Sequence, residues 1–291
     1  IKVVPYLYIL PNMILFLVFM IIPIFMSFYY GTVKWNGMGK PKFIGLANYI
    51  YIFQDKVFLK SIFNTFYYAV ATVPLLMALA LFLAVMLNSK IPLRGFIRSA
   101  VYAPAVVSTV VVGTVFTWIF QDQLGLINYL LTSVGAKAIL WNNDPKFAML
   151  MLVTATMWQK AGYNMVIYLS SISGIDTTLY EAAVMDGANK RQQVFHITLP
   201  CLKNVIIMMF ILNVGKIFYS DFGLFYQLSQ GASGSIFKTT ATIDTYIYNA
   251  LRSSTIGMTS AAAFFQSVAC CITIILANAI VKKFDEDSAI I

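Results

Sequence analysis

Long apolar stretches, almost free of charge, limit what this chain can fold into more than any other feature. They fall at 6–30, 63–87, 100–120, 147–170, 202–222 and 260–281. Each meets the roughly 20 residues that a helix needs to cross about 30 Å of hydrocarbon. With 60% apolar residues, 11% charged residues and a mean hydropathy of +0.79, the chain has too little charge to cover a soluble surface of its length. The expected fold is an all-α membrane bundle of six transmembrane helices forming a single domain over 1–291. The first stretch is longer than a signal-peptide core and no small-residue cleavage site follows it, so it is expected to remain as a span.

Orientation follows from the short loops, where Lys and Arg mark the cytoplasmic side. Lys90, Arg94 and Arg98 lie between the second and third stretches with no acidic residue beside them. With that loop inside, six spans put both termini and the loop 171–200 inside too, which suits Lys2, Lys190, Arg191, Lys203, Lys282 and Lys283. The expected location is a bacterial cell membrane, crossed several times.

A net charge of +9 would suit nucleic acid only if the basic residues formed a stripe; here they stand singly between apolar spans. Cys201, Cys270 and Cys271 have no disulfide or zinc spacing and are expected to be packing residues. His196 is the single histidine, so neither a catalytic triad nor a histidine metal site has material to build on. No catalytic residue, no metal site and no enzymatic activity are expected.

The loop 171–200 is patterned for two short helices. Thr178 with Glu181 three residues later forms a capping-box pattern, which starts a helix at Thr178. Asp186 and Gly187 stop it, since glycine accepts the left-handed conformation without a Cβ penalty. Asn189 with Gln192 repeats the box and starts a second helix running toward Pro200. Ala182 and Ala183 give the first helix a small surface that another protein could approach closely.

Glu181-Ala182-Ala183, then Gly187, Ile197 and Leu199-Pro200, resembles the signature loop of binding-protein-dependent ABC importer permeases. Tyr180, Asp186 and Ala188, with Trp158, Gly162 and Tyr168 upstream, resemble the carbohydrate branch, which includes maltose, lactose and glycerol-phosphate permeases. So do Phe43 to Tyr49, Asn64-Thr65 and Gly125 to Asn128. Asp176 departs from the pattern, standing where related sequences usually have proline, but an aspartate there can still serve as a cap. The resemblance implies a type I importer bundle in which Glu181, Ala182, Ala183, Asp186 and Gly187 form a coupling helix seated on a cytoplasmic ATPase. It also implies a second permease subunit in a heterodimer, two ATPase subunits that bind Mg-ATP, and an extracytoplasmic solute-binding protein. The chain has no phosphate-binding glycine loop of its own, so the cofactor belongs to the partner.

Lys160 and Lys216 fall within spans, where charges are costly and usually face a pathway. Lys160 is three and four residues from Tyr163 and Asn164; Lys216 is three from Asn213 and four from Ser220. With Trp158 and Gln159 they offer the amide, hydroxyl and aromatic groups that bind sugars. The expected substrate path is Trp158, Lys160, Tyr163, Asn164, Asn213 and Lys216. The bland alternatives are Lys216 snorkelling toward Asp221 and Lys160 joining two helices. Two other functions stay open at this point: a permease for peptides or amino acids, or a secondary transporter working alone.

Overall fold

The structure, a computed structural model, describes residues 4–89, 91–141, 143–216, 218–219, 222–229, 236–253 and 256–284. Lys2, Lys90, Ser220 and Asp221, used above, lie outside the described residues.

Almost every element is a helix. In chain order they are α1 (Tyr6–Gly31), α2 (Ala47–Gln54), α3 (Lys56–Asn88), α4 (Arg94–Val106), α5 (Thr109–Ile119), α6 (Leu126–Ser133) and α7 (Pro145–Ser173). Then come α8 (Thr177–Met185), α9 (Lys190–Cys201), α10 (Lys203–Gly215), α11 (Phe222–Leu228), α12 (Phe237–Thr240), α13 (Ile243–Arg252) and α14 (Ile256–Phe284). A small hairpin, β1 (Val33–Lys34) against β2 (Lys42–Phe43), follows α1.

Among the described residues, α1, α3 and α14 are long and apolar enough to cross a membrane. Two bent pairs raise that number to five if each makes one span: α4 with α5, bent by 102°, and α9 with α10, bent by 63°. The first bend lies beside Pro104, a residue that sequence alone marks as able to bend a span, and the second lies where the helix running toward Pro200 was expected to meet the span 202–222. Between α4 and α5, Val107 takes extended backbone angles and Ser108 follows with ψ 135°. Pro104, three residues before the break, lacks an N–H and accepts from Val107 N instead. The expected span 202–222 is also shorter as a helix, because α10 ends at Gly215 and Lys216 is its cap. α7 is long enough to span, yet Gln159, Lys160 and Asn164 keep it out of the apolar class.

α7 is the hub. It packs along α3, where Ala80 and Ala84 are fully buried against Met165, Tyr168 and Leu169; small residues let two membrane helices approach closely. α4 crosses α7 at Gly162, where an added Cβ would overlap Val101 O and stand 2.7 Å from Tyr102 Cα. α1, by contrast, is almost wholly exposed and touches the bundle near its end, with the Phe28 and Phe264 rings 5.0 Å apart and Ser27 Oγ donating to Ser260 O at 3.0 Å. Cys270 packs in the core and donates Sγ to Gly215 O, whereas Cys201 and Cys271 are exposed rather than packed.

Three asparagines in the sequence motifs fasten the connecting segments. Asn48 donates to Gly31 O and Val33 O at 3.0 and 2.9 Å. Asn64 donates to Ala241 O at 3.0 Å, and its neighbour Thr65 accepts from Ile243 N. Asn128 donates to Asp122 O and Ile139 O, and accepts from Ile139 N and Trp141 Nε1. Each satisfies loop backbone that would otherwise be buried unpaired.

Candidate functional site: a polar cavity and an exposed short helix

Five elements line a cavity of about 290 Å³, open on one side. α3 contributes Tyr68 and Thr72, α4 contributes Tyr102, and α10 and its cap contribute Asn213 and Lys216. α7 supplies Thr156, Gln159, Lys160, Tyr163 and Asn164. The break between α4 and α5 forms part of the wall through Val107 and Thr109. The bend beside Pro104 therefore helps to shape the site.

Both lysines stand well along their own helices. Each is thirteen residues from the loop-facing end of its helix, Ser173 on α7 and Lys203 on α10; at 1.5 Å per residue that is about 20 Å. Lys216 Nζ lies over the Tyr163 ring, 5.4 Å from its centroid, within the range of a cation–π contact. Asn213 Nδ2 donates to Asn164 Oδ1 at 3.0 Å and joins α10 to α7. Tyr68 OH donates to Thr156 Oγ1 at 2.9 Å and joins α3 to α7. The buried Gln159 Oε1 and Thr72 Oγ1, both in the lining, have no hydrogen-bond partner among the described residues.

Of the residues expected on the path, Lys160, Tyr163, Asn164, Asn213 and Lys216 come together here, and Trp158 does not. Its exposed ring packs on Phe116, with centroids 5.4 Å apart. Two residues before Lys160 means about 200° around the helix, so Trp158 and Lys160 cannot share a face. Tyr68 and Thr72 were missed, although their i, i+4 polar spacing inside an apolar span was a readable signal.

The loop 174–202 carries the second feature. α8 begins one residue earlier than expected, and its cap is Asp176 rather than Thr178: Asp176 Oδ1 accepts from Thr178 N at 2.9 Å. An aspartate two residues upstream gives the free N–H groups a charged acceptor in place of a hydroxyl. Hydrogen bonds from the Thr178 backbone and side chain in turn hold the Asp176 carboxyl below its ordinary value. At the other end Gly187 has φ +79°. Ala188 N donates to Ala183 O and Gly187 N to Val184 O, the double bond of a glycine-terminated helix. The Asn189 and Gln192 box forms with both its bonds, at 3.0 and 2.8 Å.

Glu181, Ala182, Asp186 and Gly187 are exposed and Ala183 is half-buried. Leu179, Val184 and Met185 are exposed beside them, an apolar surface that the sequence reading overlooked. Tyr180 reaches back, with its hydroxyl 2.9 Å from Thr198 Oγ1 on α9.

Residues 44–286 match the family described as the inner membrane component of binding-protein-dependent transport systems. The chain belongs to this family.

Relatives within it are permeases. The chain is 34% identical to a probable ABC transporter permease protein, YurN, of Bacillus subtilis over 85% of each protein. It is 30% identical to YteP of the same organism, a polygalacturonan/rhamnogalacturonan transport system permease, over 97% of this chain and 88% of that one. A chain of a bacterial alginate ABC transporter, solved with an alginate-bound periplasmic protein, superposes with a TM-score of 0.84 at 25% identity, covering 97% and 94% of the two chains. The fold is thus that of a type I ABC importer permease, and the cavity and the exposed helix are features of such a permease.

Proposed function

We propose that this chain is one of two transmembrane permease subunits of an ATP-driven importer that carries a sugar or oligosaccharide delivered by an extracytoplasmic binding protein. The observation that carries the reading is the cavity, lined by Gln159 and Thr72, whose buried Oε1 and Oγ1 have no hydrogen-bond partner among the described residues. A buried acceptor without a donor costs on the order of 1–3 kcal/mol, and a sugar hydroxyl supplies the missing donor. Tyr163 and Tyr102 add ring faces for stacking.

In this reading the bundle crosses the membrane six times, at α1, α3, the bent pair α4 and α5, α7, α10 and α14, with α8, α9 and both termini inside. The exposed α8 is the coupling helix. Glu181 offers its charge, and Ala182, Ala183 and Gly187 let a groove of a cytoplasmic ATPase close around the backbone. Its caps at both ends make it a rigid lever, and rigid elements transmit a two-state motion. Mg-ATP sits in the two ATPase subunits.

The test is reconstitution of the chain with its partner permease, ATPase and binding protein in proteoliposomes. ATP-dependent accumulation of a labelled oligosaccharide is expected, and it is expected to fall when Gln159→Leu is introduced. Accumulation of amino acids or peptides instead, or transport without the ATPase, would overturn the reading.

A further inference from the structure

Resting on the importer reading, we propose that the passenger is an anionic oligosaccharide and that Lys160 and Lys216 are the residues that read its carboxylates. Both ammonium-bearing side chains belong to the cavity lining, which contains no aspartate or glutamate among the described residues. They reach it from different helices, and Tyr163, three residues after Lys160, lies beneath Lys216 Nζ.

A neutral sugar needs none of this. Amides, hydroxyls and aromatic faces already present in the cavity bind and orient neutral hydroxyls, so two cations in the lining add nothing that a neutral passenger requires. A cavity walled by low-dielectric helices and lined by one sign of charge concentrates ions of the other sign. Uronic acid units carry one carboxylate per ring, so successive rings can meet the two lysines in turn. The Asn164 and Asn213 pair fixes α7 against α10 and so sets the spacing of the two cations. Lysine suits a passenger that must leave again, since it binds as a point charge where arginine would clamp bidentately.

The experiment uses the complete complex with its binding protein in proteoliposomes. It compares ATP-dependent uptake of oligogalacturonates, oligomannuronates and oligoglucuronates with uptake of the same oligomers after carboxyl reduction to neutral sugars. At least one acidic oligomer is expected to be taken up more than about tenfold faster than its reduced counterpart, the scale of a charge-assisted hydrogen bond. In the Lys160→Gln, Lys216→Gln double variant that ratio is expected to fall toward one, and in the double arginine variant to stay high. Size-exclusion chromatography checks that each variant still assembles. Equal or faster uptake of the neutral oligomers would overturn the charge assignment and leave the importer standing. A ratio untouched by the glutamine pair would show that the binding protein alone sets it, which also overturns the assignment. Uptake of neither class would fail the importer reading itself.

Discussion

Asn213 on α10 donates Nδ2 to Asn164 Oδ1 on α7 across 3.0 Å, and each also donates within its own helix, Asn164 to Lys160 O and Asn213 to Met209 O. This polar link joins the two lysine-bearing helices at the level of the cavity. Asn213→Leu leaves Asn164 Oδ1 without its donor. Interhelical hydrogen bonds in membranes contribute about 0.6 kcal/mol on average and up to about 2. The purified complex is therefore expected to melt at a lower temperature and to need more substrate for half-maximal uptake; a variant with unchanged melting would show that the link adds no stability.

Gly162→Ala is expected to disturb the bundle far more than its one added carbon suggests. The new Cβ meets Val101 O and Tyr102 Cα, both backbone atoms of α4 that cannot rotate away. Overpacking of this kind costs about 1–3 kcal/mol. Gly174 serves as a control, because the nearest atom to its added Cβ is Ser171 O at 3.5 Å. Yield and melting temperature of the two alanine variants give the comparison, and equal behaviour would contradict the close α4 to α7 crossing.

Gly187→Ala isolates backbone strain from packing. Nothing lies within 4 Å of the added Cβ, yet the φ of +79° penalises any L side chain, by roughly 1–2 kcal/mol. The end of α8 is expected to fray. Stimulation of ATP hydrolysis by the loaded binding protein is then expected to fall while the ATPase subunits still associate. Full stimulation would argue against α8 as the lever.

The Asp176 cap predicts a pH dependence. Bonds from Thr178 hold this exposed carboxyl below its ordinary value of 3.8. A depressed folded pKa means that the cap's contribution is complete above 3.8 and is lost as pH falls through the lower folded value. Amide exchange in the first turn of α8, corrected for intrinsic acid dependence, is expected to speed up in that acid window. Asp176→Asn keeps a side-chain acceptor and removes the titration, so its protection is expected to stay level there.

Much of this was legible in the residues because local chemistry decides it. Apolar length marks α1, α3 and α14, the Asn189 and Gln192 box marks the start of α9, and Gly187 marks the end of α8. The i, i+3, i+4 spacing of Lys160, Tyr163 and Asn164 put them on one helix face. What could not be read depends on neighbours distant in sequence. Pro104 marks where the third stretch could bend, but nothing local sets the 102° angle after Val106. It is fixed by the packing of α4 on Gly162 and of α5 on α11. Trp158 was misassigned because adjacency in sequence was taken for adjacency on the helix. Of the two caps the sequence offered, Asp176 and Thr178, the carboxylate takes the free N–H groups.

The central claim is that the passenger moves through the cavity between α3, α7 and α10. Photo-crosslinking tests it most directly: the complete complex, trapped during transport, is loaded with an oligosaccharide carrying a photoreactive group, and the labelled peptides are mapped. Label on α7 between Gln159 and Asn164 and on α10 near Asn213 is expected. Label confined to the partner permease, or to surfaces of this chain outside the cavity, would contradict it.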